Sequence, residues 1–329
     1  MNTVTAQSGK LEESKMVIIR RYSSTDEILW NQFNLKSKNS LFMFDRNYMD
    51  YHKDRFIDHS LLFFSDDELI AILPLSEKEG VFYSHGGLTY GGFISDEKMK
   101  QHMMLECFTC LREYCRENGI EKIIYKAIPH IYHKQPAEED KYALYCNGAH
   151  ILKVEASTVI NLKEIIPMAK LRLRQIKKAV KNGVAVSIQD TYESYDQYIN
   201  LLNTVLNERH NLNAVHTTEE MFLLHKRFPE KIRLYVAAYQ GEMVAGTIVY
   251  IYDTSIHTQY LASNDVGRSI GALDLVIKTV IEDYADSKNC MDFGISTEDM
   301  GHILNYGLIS QKEGFGGRTE IYETWEMLV

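Results

Sequence analysis

Two stretches of the chain alternate between apolar runs and short polar breaks in the same way. Residues 60–75 read SLLFFSDDELIAILPL and residues 234–251 read LYVAAYQGEMVAGTIVYI. In each, an apolar run of strand length meets a polar turn, an acidic residue and a second apolar run, the pattern of a β-hairpin. Glu68 and Glu242 hold equivalent places. The next elements repeat too. GLTYGGFI and HTQYLAS are predicted strands. MKQHMMLECFTCLREYCRENG and GALDLVIKTVIEDYADSKN carry apolar residues three and four apart, and they end near Gly119 and Asn289, helix-stop residues. EKIIYKAI and CMDFGIS are strands again, which pairs Tyr90 with Tyr260 and Tyr125 with Phe293. Hairpin, strand, helix, strand thus occurs twice with little shared identity. The expectation is an α+β chain of two like domains, residues 17–160 and 161–329, after a polar tail over 1–16.

Between the halves lies NLKEIIPMAKLRLRQIKKAVKNGVAV. A linking helix is predicted over 168–182, with Ala169, Leu173, Ile176 and Val180 on its inward face. Lys170, Arg172, Arg174, Lys177, Lys178 and Lys181 form the other face, and Asn182-Gly183 ends it. The chain as a whole carries a net charge of −9, so it is no generic nucleic-acid binder. Against that background the stripe is either a solvated face or a contact for phosphates, including those of a tRNA.

Composition fits a globular protein, with 45% apolar and 25% charged residues in 329. The five cysteines are odd in number. The Cys107/Cys110 pair sits inside a helical run, so buried thiols are expected rather than a metal or redox site. No run approaches the ~18 apolar residues that span a bilayer. The opening residues lack the apolar core of a signal peptide. Together with reduced thiols, these features point to the cytoplasm.

Chemistry concentrates in the second half. Residues 263–272, SNDVGRSIGA, run from a strand into a helix, where glycines and a helix N-terminus favour phosphate. Asp292 and Glu298 lie at or beyond a strand end, where ligand crevices open, although Ser296-Thr297-Glu298-Asp299 also reads as a helix N-cap with its acids. Near the end stands QKEGFGGR, residues 311–318, with three glycines around Lys312 and Phe315 introducing a closing hairpin.

The order of elements through Arg268-Ser269-Ile270-Gly271-Ala272-Leu273 to Lys312-x-Gly-Phe resembles the GNAT-type acyltransferases, whose Q/R-x-x-G-x-G/A pattern holds the pyrophosphate of acetyl-CoA. Arg268 and Gly271 match it, and Leu273 replaces the last small residue. LRLRQIKKAVKNGV and DFGISTEDMGHILNYGLISQKEGFGG resemble the FemAB-like branch, which joins two such domains, each a mixed and mostly antiparallel sheet flanked by helices. The resemblance runs from about residue 17 to the end.

It implies transfer of an acyl or aminoacyl group to an amine. The co-substrate would be acyl-CoA, acetyl-CoA above all, with no metal and with Gly267, Arg268, Ser269, Gly271 and Ala272 as its contacts. The acceptor class would be an amino-sugar of a surface polysaccharide or its precursor. Aminoacyl-tRNA is the alternative donor, for growth of peptidoglycan-type peptides, yet no helical pattern exceeds ~25 residues to form the branch's long arm. A non-catalytic nucleotide-binding or acyl-CoA-binding regulator is the third reading, supported by Leu273 and by Ser310 where simple GNAT enzymes carry an acidic Tyr. Candidate catalytic groups are Lys312, by resemblance, with His210 or His216 as base, Asp292, Glu298, and Tyr306 near the vacant Tyr position. Glu208, Arg209 and Tyr260 are candidate acceptor contacts, and the Glu208–Arg209 pair alternatively a solvated ion pair.

Overall fold

The computed structural model describes residues 17–329, apart from the side chains of Arg209 and His210. The expected tail over 1–16 lies outside the described residues. The strands are β1 Val17–Arg21, β2 Ile57–Asp58, β3 Leu61–Ser65, β4 Glu68–Leu73, β5 Ser76–Lys78, β6 Val81–Tyr83, β7 Ile94–Ser95, β8 Lys122–Lys126, β9 His150–Asn161, β10 Ala185–Gln189, β11 Ile232–Tyr239, β12 Glu242–Ile251, β13 Ser255–Ser263, β14 Cys290–Ile295, β15 Thr297–Glu298, β16 Ile303–Leu304 and β17 Arg318–Leu328. The helices are α1 Glu27–Lys36, α2 Arg46–Met49, α3 Gln101–Glu117, α4 Glu139–Cys146, α5 Lys170–Lys181, α6 Tyr192–His210, α7 Thr218–Arg227, α8 Asp265–Ile270, α9 Ala272–Tyr284 and α10 Tyr306–Glu313.

Both predicted hairpins form. Asp66-Asp67 joins β3 to β4 and Gln240-Gly241 joins β11 to β12, each with two successive positive φ angles, the turn whose twist suits a two-residue hairpin. Glu68 and Glu242 open the second strand in each. The parallel pair that follows also recurs: β6 beside β8 in the first half, β13 beside β14 in the second. GLTYGGFI departs from the expected strand. Only Ile94–Ser95 is extended there, because His85 and Gly92 take left-handed angles and Gly91 packs against the Ser84 carbonyl.

The halves share their sheet. One four-stranded sheet, β1-β3-β4-β7, belongs to the first half alone. The other runs through eleven strands in the order β10-β11-β12-β13-β14-β9-β17-β8-β6-β5-β2. At its centre the last strand of each half sits in the other half: β9 pairs with β14, and β17 pairs with β8. β9 and β17 themselves are antiparallel neighbours. The division at 160/161 therefore falls at the end of a strand that serves the second half. QKEGFGGR opens no closing hairpin; it launches β17, which leaves its own half. Gly316 makes that exit, with φ +98° and Ile166 carbonyl so near that a Cβ would stand 2.2 Å from it.

The core is shared as well. One buried cluster mixes Phe44, Tyr48, Tyr90 and Tyr132 with Tyr198, Met221, Tyr250 and Tyr322. Cys107 packs inward on α3, where burial pushes its thiol up to about 12.

Two local expectations change. α5 buries Ile176 and Ala179, whereas Leu173 and Val180 are 45% and 60% exposed. Its inward face includes Arg172, ion-paired to Asp274 of α9 at 2.9 Å. It also brings Gln175 against Gly271, whose missing side chain admits the Gln175 carbonyl. Charge pairing and backbone approach join the burial of Ile176 and Ala179 in setting that face. Ser296-Thr297 caps no helix. Thr297–Glu298 forms a small hairpin with β16 around left-handed Asp299, Met300 and Gly301, and Asn305 caps α10 by accepting from Leu308 N at 3.0 Å.

Removing residues 318–329 takes away a strand lodged between β8 and β9. Thermal unfolding followed by circular dichroism should show one cooperative transition for the full chain and none for the truncated one.

Candidate active site

The site begins where two parallel strands part. β13 and β14 pair through Ser255/Cys290, Ile256/Met291 and His257/Asp292, and no further. β13 continues beside β12, while β14 breaks register with β9 between Asp292 and Ile295. Gly294 takes φ +74° at that break.

Asp292 sits at the fork with 0% exposure. Its Oδ1 accepts from Ser157 Oγ at 2.5 Å and from Gly294 N at 2.9 Å. Its Oδ2 accepts from the hydroxyls of Tyr132 and Tyr322, and His257 Nδ1 lies 3.0 Å away. Tyr90 hydroxyl bonds both tyrosines at 2.8 Å. Burial alone would raise this carboxyl; the bonds from His257, Ser157 and Tyr132 outweigh it and hold it well below the usual carboxylate range. With its oxygens so occupied, Asp292 anchors the fork rather than facing a substrate.

Beyond the fork opens a cleft of about 710 Å³. Its walls come from β13 (Leu261, Ser263), α8 (Gly267, Arg268), α9 (Leu273, Asp274), α5 (Arg172, Gln175), α6 (Val205, Leu206) and α10 with its exit (Ser310, Lys312, Phe315). Lys312 is 4% exposed. It donates to the carbonyls of Gly294 and Ile295 at 2.8 and 2.7 Å, past the end of the β13–β14 ladder. An ammonium has three N–H donors, so one remains for the cleft. Burial lowers its pKa to about 8, against the opposing pull of Asp292. Phe315 stacks into the core beside Phe293, with Arg172 5.5 Å above its ring.

The segment expected to hold phosphate is not an open loop. Residues 265–270 wind into α8, capped by Asn264 Oδ1 on Gly267 N at 2.8 Å. Arg268 folds back on the Ser263 carbonyl and Asp265. Ser269 gives its carbonyl to Lys178, and Ala272 is fully buried. Gly267 and Arg268 thus face the cleft; Ser269, Gly271 and Ala272 do not line it. Of the six cations on α5, Arg172 and Lys178 turn to the protein, and Lys170, Arg174, Lys177 and Lys181 are exposed.

The other candidates scatter. His216 is buried, shares a 2.6 Å hydrogen bond with Tyr260 hydroxyl, and has its pKa lowered to about 4 by burial. Glu208 is exposed on α6. The side chains of Arg209 and His210 lie outside the described residues. Glu298 pairs with Asn305 at 2.9 Å. Tyr306 is 77% exposed, away from the cleft lining. Among the described residues no cluster of three His, Cys, Asp or Glu could hold a metal, and no helix is long and apolar enough to cross a membrane.

Three features escaped the sequence reading. Gln259 is the extra residue of a β-bulge, since Thr258 pairs with Val249 and Tyr260 with Ile248. Tyr132 and Tyr322 complete the Asp292 network. His52 lies beside His216 in a second cavity. Only the bulge had a signal in principle, a slip in the alternation of HTQYLAS.

Residues 169–301 match the family described as an acetyltransferase (GNAT) domain. No curated protein matches the chain by sequence. Among solved structures, FemX is similar with a TM-score of 0.67 and 10% identity, over 95% of this chain and 97% of that one. The C-terminal DUF2156 domain of a provisionally named lysylphosphatidylglycerol synthetase from Agrobacterium fabrum gives 0.61 and 10%, over 93% of each. A tandem GNAT protein from the clavulanic acid biosynthesis pathway gives 0.55 and 10%, over 95% and 98%. At such identities the likeness is one of fold.

Replacing Asp292 by Ala leaves its donors buried without an acceptor and should cost about 3–5 kcal/mol in urea unfolding. Because the folded carboxyl titrates below its ordinary range, its stabilisation is complete above about pH 4 and is lost as pH falls toward the folded value. Asp292→Ala should remove that acid limb from the stability profile.

Proposed function

Because residues 169–301 form a GNAT-type acetyltransferase domain within a chain of the tandem, FemAB-like fold, we propose that this acyltransferase moves an acyl group, acetyl in the simplest case, from acyl-CoA to an amine. The observation that carries the reading is the cleft beyond the β13–β14 fork, with the spare donor of Lys312 inside it. The cleft exceeds the lower range of small-ligand pockets. Gly267 and Arg268, which line the cleft, would hold the donor's phosphates.

The chemistry then follows from few groups. The neutral amine nitrogen attacks the thioester carbonyl, the carbon–sulfur bond breaks and the thiolate leaves; the proton shed by the nitrogen passes to that sulfur, directly or by way of Lys312, leaving an amide and a free thiol. Charge grows first on the carbonyl oxygen and then on sulfur. Protonated Lys312, held in a low-dielectric wall, is suited to stabilise either. The bulge at Gln259 frees backbone from the β12–β13 ladder beside it. His216, at about 4, is neutral at working pH and so accepts a hydrogen bond from the amine rather than repelling it.

An aminoacyl-tRNA donor is the second reading. It is favoured by the exposed cations Lys170, Arg174, Lys177 and Lys181 of α5, next to cleft residues Leu171 and Arg172.

Incubation with acetyl-CoA and a panel of amines should release free thiol. No release, together with no heat on titrating CoA, would sink the CoA reading. Filter retention of charged tRNA that is lost in K177A/K181A at fixed salt would replace it with the second. Lys312 is charged below about pH 8 and neutral above it. If its charge is used, the rate falls as pH rises through about 8. Lys312→Met should lower kcat by ~10²-fold or more with fold intact, and Lys312→Arg should abolish the alkaline limb.

A further inference from the structure

The second cavity lies between the two halves and meets β13 at Gln259, two residues before Leu261 of the cleft. It measures about 260 Å³. Tyr51, His52, Arg55 and Phe56 line it from the first half, Gly86 and Gly87 form another wall, and His216 and Gln259 close it from the second. Lys312 does not line it.

Its polar groups are the anomaly. His52 is 1% exposed, yet neither ring nitrogen has a hydrogen-bond partner among the described residues. Gln259 Oε1, on the bulge, is buried and unpartnered too. Buried polar atoms are nearly always satisfied, and each exception costs stability. Here they converge on one void. The rings of Tyr51 and Phe56 flank His52 at 4.2 and 5.1 Å between centroids, and Tyr51 stacks on His216 at 5.6 Å. A Cβ on Gly87 would stand 2.0 Å from His52 Nε2, so the glycine leaves the imidazole its place.

Charge narrows what fits. No carboxylate lines the cavity, and its one cation, Arg55, is paired with Glu220. Burial keeps His52 and His216 neutral, each at about 4. A strongly basic ammonium such as that of lysine, at ~10.4, would enter unpaired, whereas an amine near ~8 can arrive neutral. Unpartnered imidazole nitrogens and an unpartnered amide oxygen call for hydroxyls, and flanking rings call for a compact body between them. The size lies just under the ~300 Å³ of the smaller drug-sized pockets.

We propose that this cavity is the acceptor pocket of the acyltransferase, that His52 and Gln259 bind the acceptor's hydroxyl groups, and that the acceptor is a hydroxyl-bearing amine of single-ring size, the chemistry of an amino-sugar. The inference rests on the acyl-transfer reading, and it accounts for both unpartnered groups at once. The acceptor enters from between the halves, the donor from the cleft beyond the fork, and they meet at the bulge of β13.

Ligand-observed NMR without any donor tests it, with glucosamine, glucose and hexylamine as probes. Glucosamine should bind the wild type more tightly than either of the others. His52→Leu should weaken glucosamine binding at least tenfold while the melting temperature holds or rises, since the imidazole satisfies nothing in the free protein. Gln259→Leu should weaken it too. Equal binding of hexylamine, binding unchanged in both variants, or no glucosamine binding at all would overturn the proposal. So would a lower melting temperature in His52→Leu, which would reveal a structural partner for the ring. Calorimetric titration with CoA reports the other cleft separately. Glucosamine bound at the pocket with CoA unbound would sink the CoA reading alone.

Discussion

One buried carboxylate ties this molecule together. Asp292 draws donors from β9, β13, β14, β17 and the first-half segment that carries Tyr132. An ionised group with no solvent contact is tolerated only when its oxygens are fully bonded. That requirement works as a geometric constraint, because the five donors must converge on one point. Their convergence sets the crossing of β9 and β17 and the place where β13 and β14 part. The fork in turn leaves the Gly294 and Ile295 carbonyls past the end of the β13–β14 ladder, and these are what Lys312 grips. Asp292 and the Gly294 carbonyl that holds Lys312 thus stand two residues apart on one strand.

Exchange of the last strands has a second consequence. A site built between separately folded domains would shift as they moved. Here eleven strands form one continuous sheet, and a single core cluster takes residues from both halves. The cavity around His52 draws on α7-side residues such as His216 and on first-half residues such as Tyr51, yet the sheet beneath fixes their spacing. Pre-organisation of this kind lets a small pocket keep unsatisfied polar atoms in place. A looser interface would let the His52 ring swing to water or collapse onto Tyr51.

How much of this the sequence disclosed depended on the range of each interaction. The hairpins at 60–75 and 234–251 and the helices α3 and α9 were legible, because turn chemistry and periodicity are local. α5 was half legible. Its existence follows from its pattern, but its inward face depends on Asp274 and Gly271, about a hundred residues away. The strand exchange was invisible, since β9 and β17 look the same whichever half they join. So was the meaning of Asp292: a carboxylate at a strand end suggests a ligand, and only the fold brings Tyr132 and Tyr322 to it. Ser296-Thr297 misled for the same reason, as Gly301 can turn there only by packing on the Val154 carbonyl.

Two departures from the GNAT pattern bear on the proposed chemistry. Ser310 lines the cleft where a Tyr would supply the leaving thiolate with a proton, and a serine hydroxyl is too weak an acid for that. Lys312 lies two residues further on the same helix and opens to the same cleft. At about 8 its acidity is close to that of a thiol, ~8.5 for cysteine. Proton transfer between them would be nearly isoenergetic, the condition under which general acid catalysis is efficient. An exposed lysine at its ordinary value would be a poorer donor by two units or more. On the proposed reading, burial under the fork would give Lys312 the acidity that a phenol supplies elsewhere. Leu273 lines the same cleft as one more apolar wall, helping to keep the dielectric around the ammonium low.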